Sequence, residues 1–384
     1  MKRICTAILL ICLLTAGALA DTAVYTATED DQSAVDVNGA QERMITDAVI
    51  EKTGGNASSA DASSFRGVNA AVRVYDQATL TISNSTIEAT AQNATGVFAY
   101  DGGTVNISDC IVNVTGGGSG GVQVAGGGTL YGSSLTVTSA SKAAIRSDRG
   151  GGVMVLDGGT YTSTGTNGCP AIYSTAEITV RNAECVSEQS RAVIIEGMNS
   201  VTLENITIEG NDQSTKSGSI HANVLLYQSA SGDAKEGTSA FTMSGGTITS
   251  QSGAMFYCTN TASVINLNSA VLNLSEDNSL LIVSTGRWGK EGRNGGRCTL
   301  NAENQTLTGS MIVDSISSLS LSMAGSDFTG SINAGQEGGT IHVTMDENSS
   351  WKLTGDSHIT SFSGDLQKID ANGYHLFVEG KEIL

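Results

Sequence analysis

The sequence predicts an all-β fold, a single-stranded right-handed parallel β-helix with three short strands per coil of roughly 24 residues and capped ends. Three observations support this prediction. One spacing of apolar residues recurs along most of the chain. The 384 residues include 47 glycines but one proline, and only 15% of them are charged. Amphipathic helical periodicity is not visible, which argues against a helical bundle or an α/β barrel.

The recurring pattern is an apolar residue, any residue, a second apolar residue and, five positions later, a third, as in Leu80, Ile82 and Ile87. Residues at i and i+2 share one face of a strand, and the third residue begins another strand after a turn. Gly132 and Ala302 replace the second apolar residue in two copies. The ten copies begin at Leu80, Val105, Leu130, Met154, Ile178, Val201, Phe241, Ile265, Leu300 and Leu321.

A further short strand precedes each of the first copies, beginning with Val72–Val74. Its outward side chains should stack into one column, with Tyr75 and Tyr100 beside it. Four column residues, Arg73, Phe98, Arg146 and Tyr173, offer an alternative ligand-binding face, although stacked aromatic side chains also stabilise solenoids. The predicted column consists of Arg73, Phe98, Gln123, Arg146, Tyr173 and Ile194.

Four segments are expected. Residues 1–20 have the features of a signal peptide, with Lys2 and Arg3, a short apolar run and Ala18-Leu19-Ala20. Residues 21–70 should form an N-terminal cap and first coil, 71–340 the β-helix, and 341–384 a C-terminal coil and cap. Cleavage near Ala20 implies a secreted protein, extracellular or at the cell surface. The apolar run is too short to span a bilayer, so no membrane insertion is expected.

The charge and the cysteines exclude several classes of function. A net charge of −18 argues against binding to nucleic acid. An odd number of cysteines without CxxC spacing favours buried small side chains over a disulfide framework or a zinc site. We therefore expect no metal site and no cofactor; calcium is conceivable, but no motif indicates it. The cysteines beyond the predicted signal peptide are Cys110, Cys169, Cys185, Cys258 and Cys298.

Two insertions interrupt the period. Loops 229–239 and 286–297 should leave the same corner two coils apart, with bases about 10 Å from each other. The second loop contains one of the two tryptophans and four of the 20 Lys and Arg residues. We predict a site for a glycan or surface polymer there, although the loops could simply cover the helix side, with Trp288 packed on apolar surface. The predicted site residues are Trp288, Arg287, Arg293, Asn294, Arg297 and, from the first loop, Asp233.

Catalysis is the alternative to simple binding. Glycoside hydrolysis needs a carboxylate pair at a fixed separation, and no such motif is evident, so no catalytic residue is assigned. A polysaccharide lyase or glycoside hydrolase with an atypical site stays the alternative, and Arg146, Asp148, Arg149 and Glu196 are the nearest candidates for the lyase. The leading hypothesis is a non-catalytic, adhesin-like binding protein for an extracellular polysaccharide or a host or cell-surface glycan. The sequence favours no particular oligomeric state.

The chain resembles the secreted pectin-lyase-like β-helix proteins of anaerobic bacteria, which are described as adhesin-like or hypothetical. The resemblance covers nearly the whole chain beyond the predicted signal peptide. It implies the same fold and an extracellular location, and it implies no catalytic residues. The stretches that carry it are Lys52-Thr53-Gly54-Gly55, Ser63-Ser64-Phe65-Arg66-Gly67-Val68-Asn69-Ala70-Ala71-Val72, Asn294-Gly295-Gly296 with Thr299-Leu300-Asn301-Ala302, and Asp314-Ser315-Ile316-Ser317-Ser318-Leu319.

Overall fold

A computed structural model describes residues 22–166, 168–216 and 218–384. The predicted signal peptide, residues 1–20, lies outside the described residues. The prediction of an all-β parallel β-helix is confirmed, because the strands form long parallel ladders in which each strand pairs with the equivalent strand of the next coil. Three ladders run along the molecule, and we call them the first, second and third faces.

The first face contains eleven strands in sequence order. Its strands alternate inward apolar and outward side chains, as Val72, Arg73 and Val74 show. The outward residues follow the predicted column, with Arg73 beside Phe98 and Arg146 beside Tyr173. The strands are Val35–Val37, Val72–Val74, Val97–Ala99, Val122–Val124, Ile145–Ser147, Ile172–Ser174, Val193–Glu196, Ala222–Tyr227, Ala254–Thr259, Ser279–Val283 and Ser310–Val313.

The second face follows each first-face strand across the corner where the two long loops leave. Two of its strands run on into the third face without a break. Its strands are Glu42–Thr46, Thr79–Ser83, Thr104–Ser108, Gly128–Ser139, Gly152–Thr166, Glu177–Arg181, Ser200–Glu204, Thr238–Ser244, Ala262–Asn268, Arg297–Glu303, Ser318–Ala324, Thr340–Met345 and Ser361–Ser363.

The third face closes each coil. Its remaining strands are Ala23–Ala27, Ala48–Lys52, Thr86–Ala89, Ile111–Val114, Glu184–Gln189, Thr207–Gly210, Thr247–Ser250 and Val271–Asn273, then Thr306–Thr308, Asp327–Gly330, Ser350–Leu353 and Ile369–Asp370. The latter four form a sheet of their own near the C-terminal end.

The apolar repeat accounts for the core. Leu80 and Ile82 point inward from the second face and Ile87 from the third, and all three are fully buried. Gly132 interrupts the repeat because two leucines occupy the space of a side chain there. A Cβ at Gly132 would lie 2.6 Å from the Leu156 side chain and 2.9 Å from that of Leu135, and both leucines are fully buried.

Both ends continue the coil further than the repeat indicates. At the N-terminal end, residues 35–52 complete a coil. At the other end Trp351 stacks on Phe328 of the preceding coil, with ring centroids 5.5 Å apart. A small sheet of Ser357–Ile359, Leu376–Val378 and Lys381–Glu382 follows. Between its first two strands lie the short 3-10 helix Leu366–Lys368 and a turn at Asn372 and Gly373.

One element was not expected from the sequence, the α-helix Ala60–Arg66. It lies on the outer side of the first face, where Gln123 donates a hydrogen bond to the Ser64 carbonyl at 2.8 Å. The ring of Phe98 is completely buried beneath this segment. The helix therefore covers the N-terminal part of the first face.

The five cysteines among the described residues are free and buried, as predicted. No helix in the described part of the chain is long and apolar enough to cross a membrane.

Candidate functional site

A cleft of about 380 Å³ opens on the outer side of the first face, next to the region that the helix covers. Its base is formed by outward side chains of three successive first-face strands, Tyr173, Ile194 and Leu225. Part of this base is apolar, because Ile194, Leu225 and Tyr227 belong to one small buried cluster, and Trp288 packs against that cluster. We call this feature the cleft.

Walls rise on three sides of the cleft. On the helix side, the Lys142 ammonium donates a hydrogen bond to the Ser64 hydroxyl at 2.6 Å. A second wall consists of residues 211–216 and 218–221, among them Asp212 and Lys216. The third is the loop 286–297, which folds back over two coils so that Trp288 meets Tyr227 with ring centroids 4.6 Å apart.

A buried carboxylate organises the base. The hydroxyls of Tyr173 and Tyr227 both donate to Glu196 Oε2, at 2.6 and 2.8 Å. The Ser229 hydroxyl donates to the other oxygen of Glu196. Burial, together with the neighbouring Glu196 charge, raises the pKa of both tyrosines. The tyrosines therefore stay protonated and fix the orientation of their rings towards the cleft.

Two buried ion pairs flank this base. Arg146 Nε lies 2.8 Å from Asp148 Oδ2, and the Arg146 guanidinium stacks on the Tyr173 ring at 4.6 Å from its centroid. Arg191 lies 2.9 Å from Asp212. Both carboxylates are almost completely buried, and each cation satisfies its partner. The pairs hold the polar part of the cleft in a fixed geometry.

Three further cations line the cleft, Lys142, Lys216 and Arg287. Within the part of the chain that the structure describes, none of them has a carboxylate at salt-bridge distance. Arg287 instead lies over the ring of Trp288 at 4.8 Å from its centroid. Burial and the neighbouring Arg146 lower the pKa of Lys142 to about 8.

The predicted loop site divides between two surfaces. Arg287 and Trp288 line the cleft, whereas Arg293 and Arg297 line a separate groove of about 690 Å³ between the two long loops. The loops do leave one corner two coils apart, as predicted. Asn294 is buried and donates hydrogen bonds to the carbonyls of Gly286 and Trp288, at 2.6 and 3.0 Å, so it shapes the loop instead of facing a ligand.

Asp233 has a comparable structural role. Its carboxylate pairs with Arg149 at 2.6 Å, three coils nearer the N-terminus, and the Arg149 guanidinium also lies over the ring of Phe65. Arg149 therefore links the first long loop to the helix across the first face. Asp233 closes this bridge and is not among the residues that line the cleft.

The predicted strand-face site is also divided. Arg146 and Tyr173 line the cleft, so the two predicted sets of residues meet there. Phe98 does not face solvent, because the helix segment buries it, and this corrects its assignment to an open face. Arg73 stacks on Tyr75 with its guanidinium 4.0 Å from the ring centroid, and it lies outside the cleft.

Four residues of the cleft were not among the predicted site residues: Lys142, Arg191, Asp212 and Lys216. The last three depend on a third insertion, which lies at positions 211–221 of the sequence. Ile208 and Val224 are 16 residues apart, whereas Ile87 and Val97, in the corresponding positions, are 10 apart. Lys142 has no such signal, because only the packing of the helix brings Ser64 to its side.

Within the described residues, no group of three or more His, Cys, Asp and Glu side chains is arranged to hold a metal ion. Comparisons with protein-family models, curated proteins and solved structures found no match for this chain. The resemblance to pectin-lyase-like proteins thus stays a prediction. The fold and the site define the chain as a parallel β-helix protein with a walled, cation-lined cleft on its first face.

Proposed function

We propose that this chain is a secreted, adhesin-like protein that binds a glycan in the cleft without catalysing its cleavage. The observation that carries the proposal is the aromatic wall of Trp288 and Tyr227 beside the guanidinium groups of Arg146 and Arg287. Aromatic rings offer apolar faces to the C–H surface of a sugar, and guanidinium groups donate hydrogen bonds to its oxygens. The extracellular location rests on the predicted signal peptide.

The state of the carboxylates favours binding over hydrolysis. Glycosidases use one carboxyl group as an acid and a second as a base or nucleophile, and both must reach the sugar. Asp148 and Asp212 are buried in ion pairs with arginines, and Glu196 accepts hydrogen bonds from two tyrosines and a serine. Each carboxylate is thereby occupied in organising the cleft.

A carbohydrate array followed by calorimetry on the best ligand tests the proposal. Trp288→Ala should weaken binding at least tenfold, or about 1.4 kcal/mol, because it removes the aromatic wall. Tyr131→Ala is the matched control, since Tyr131 is an exposed aromatic residue on the second face. Unchanged affinity in Trp288→Ala would contradict the site, and absence of any glycan ligand would contradict the function.

The same samples separate binding from catalysis. Oligosaccharides that bind should be recovered intact after prolonged incubation. Release of new reducing ends or unsaturated sugars, lost in Arg146→Ala, would instead identify a hydrolase or lyase.

A further inference from the structure

We propose that the sugar bound in the cleft is a terminal residue carrying an anionic group, a carboxylate or a sulfate, held directly by Lys142, Lys216 and Arg287. The inference rests on the proposed glycan-binding function and adds the class of ligand.

The distribution of charge is the first argument. The chain carries a net charge of −18 and only 20 Lys and Arg residues. Five of those cations, Lys142, Arg146, Arg191, Lys216 and Arg287, line this cleft. They face three carboxylates, Asp212 in the lining and Asp148 and Glu196 beneath it, so positive charge is in excess. On so acidic a protein this concentration creates a local positive potential, which attracts anions and repels cations.

The second argument is that only some of the cations in the cleft are paired with a carboxylate of the protein. Arg146 and Arg191 are neutralised by Asp148 and Asp212. Among the described residues, no carboxylate lies within salt-bridge distance of the other three cations, and Lys142 is in addition partly removed from water. A cation that is held away from solvent without a counter-charge is unfavourable. An anionic ligand group supplies that missing partner.

The shape of the cleft is the third argument and concerns where on a glycan the anion lies. A volume of about 380 Å³ is near the lower limit of ligand pockets, and three walls surround it. The helix side, residues 211–216 and 218–221 and the loop bearing Trp288 stand on three sides of the cleft. A small walled cleft fits a chain end or a short branch better than the middle of a long polymer, which needs an extended groove.

Calorimetry with three sugars of matched size tests the anion. Methyl β-D-glucuronide and glucose 6-sulfate should bind, and methyl β-D-glucoside should bind at least tenfold more weakly. The relative affinities of the first two distinguish carboxylate from sulfate. Affinity for the acidic sugars should fall as sodium chloride is raised from 50 to 500 mM, because the interaction of exposed charges is screened.

Charge-removing variants locate the contact. Arg287→Gln and Lys142→Gln should each weaken binding of the preferred acidic sugar about tenfold, and they should weaken binding of the neutral glucoside by a smaller factor. Arg293→Gln is the matched control, since it removes an exposed arginine of the same loop that faces the other groove. Arg287 is exposed, so its replacement tests the contact even if Lys142→Gln fails to fold.

Each outcome has a distinct meaning. Equal binding of neutral and acidic sugars, or full affinity in Arg287→Gln, would overturn the anionic ligand while leaving glycan binding intact. If no sugar of any charge binds, the proposed function itself fails. Affinity that rises steadily with oligosaccharide length beyond two sugars would overturn the assignment to a chain end.

Discussion

At the scale of single residues, the chemistry of the cleft depends on which of its charged side chains are paired with an opposite charge of the protein. Burial and the neighbouring Arg146 lower the pKa of Lys142. Its neighbours Asp148, Cys169 and Asp61 raise this pKa, but by a smaller amount. The result is an ammonium group with a pKa of about 8, beside a cavity that opens to solvent. Its charge can therefore be removed under mild conditions.

This position predicts a pH dependence of ligand binding. As pH rises from 7 to 9.5, Lys142 loses its proton and with it the attraction to an anion, so affinity for an acidic sugar should fall about tenfold. Lys142→Arg keeps its charge over this range and should show a flat profile. Calorimetry at the two pH values measures both proteins, and equal affinity of the wild type at pH 7 and 9.5 would contradict the prediction.

At the scale of elements, the helix Ala60–Arg66 covers the N-terminal part of the first face. The Ser59 hydroxyl caps its first turn by accepting from the Ala62 amide, and Gly67 ends it in the left-handed region at φ 65°. A seven-residue helix has too few turns to show periodicity and is marginal alone. Its contacts with Gln123 and Lys142 fix it, and the sequence could not indicate these.

Gly67→Ala should therefore destabilise the protein and loosen the helix. The substitution places a methyl group in a left-handed residue, which costs about 1–2 kcal/mol. The added Cβ would also lie 2.5 Å from the Phe98 ring. Gly127→Ala is the control for backbone strain alone, since Gly127 has φ 78° and nothing within 4 Å of an added Cβ.

Chemical denaturation and amide hydrogen exchange measure the difference. Gly67→Ala should lose more unfolding free energy than Gly127→Ala, and exchange should accelerate in residues 60–66. Equal losses of unfolding free energy in the two variants would contradict the close packing of the end of the helix against Phe98.

At the scale of the whole molecule, the register of the β-helix follows from the apolar repeat, because each coil must bury the same inward positions. The strands after Leu80 were predictable for this reason. Where an insertion interrupts a coil, the sequence indicated the corner from which the loop leaves but not the direction in which the loop then runs. Trp288 reaches back to Tyr227 because the loop packs on the first face, and that packing is a tertiary interaction without a periodic signature.

The stacked coils also leave two terminal edges, and the C-terminal one is covered by the small sheet of residues 357–382. There Leu376 is fully buried, and the strand Leu376–Val378 pairs in parallel with Ser357–Ile359. Removing residues 371–384 would leave the edge of Ser357–Ile359 unpaired and expose Ile359, now 5% exposed. Unpaired edges of this kind template the addition of strands from other chains.

The truncated chain lacking residues 371–384 should therefore associate in a concentration-dependent manner, while its far-ultraviolet circular dichroism retains the β signal of the preceding coils. Tyr374→Ser is the control, since Tyr374 lies in the same segment but is 40% exposed and should not affect association. Light scattering coupled to size-exclusion chromatography distinguishes the two. A truncated chain with the same mass distribution as the full chain would show that the terminal sheet does not protect the edge. Loss of the β signal would show instead that the coils do not fold without the terminal sheet. That result would be expected if the terminal sheet stabilised coils beyond its nearest neighbour.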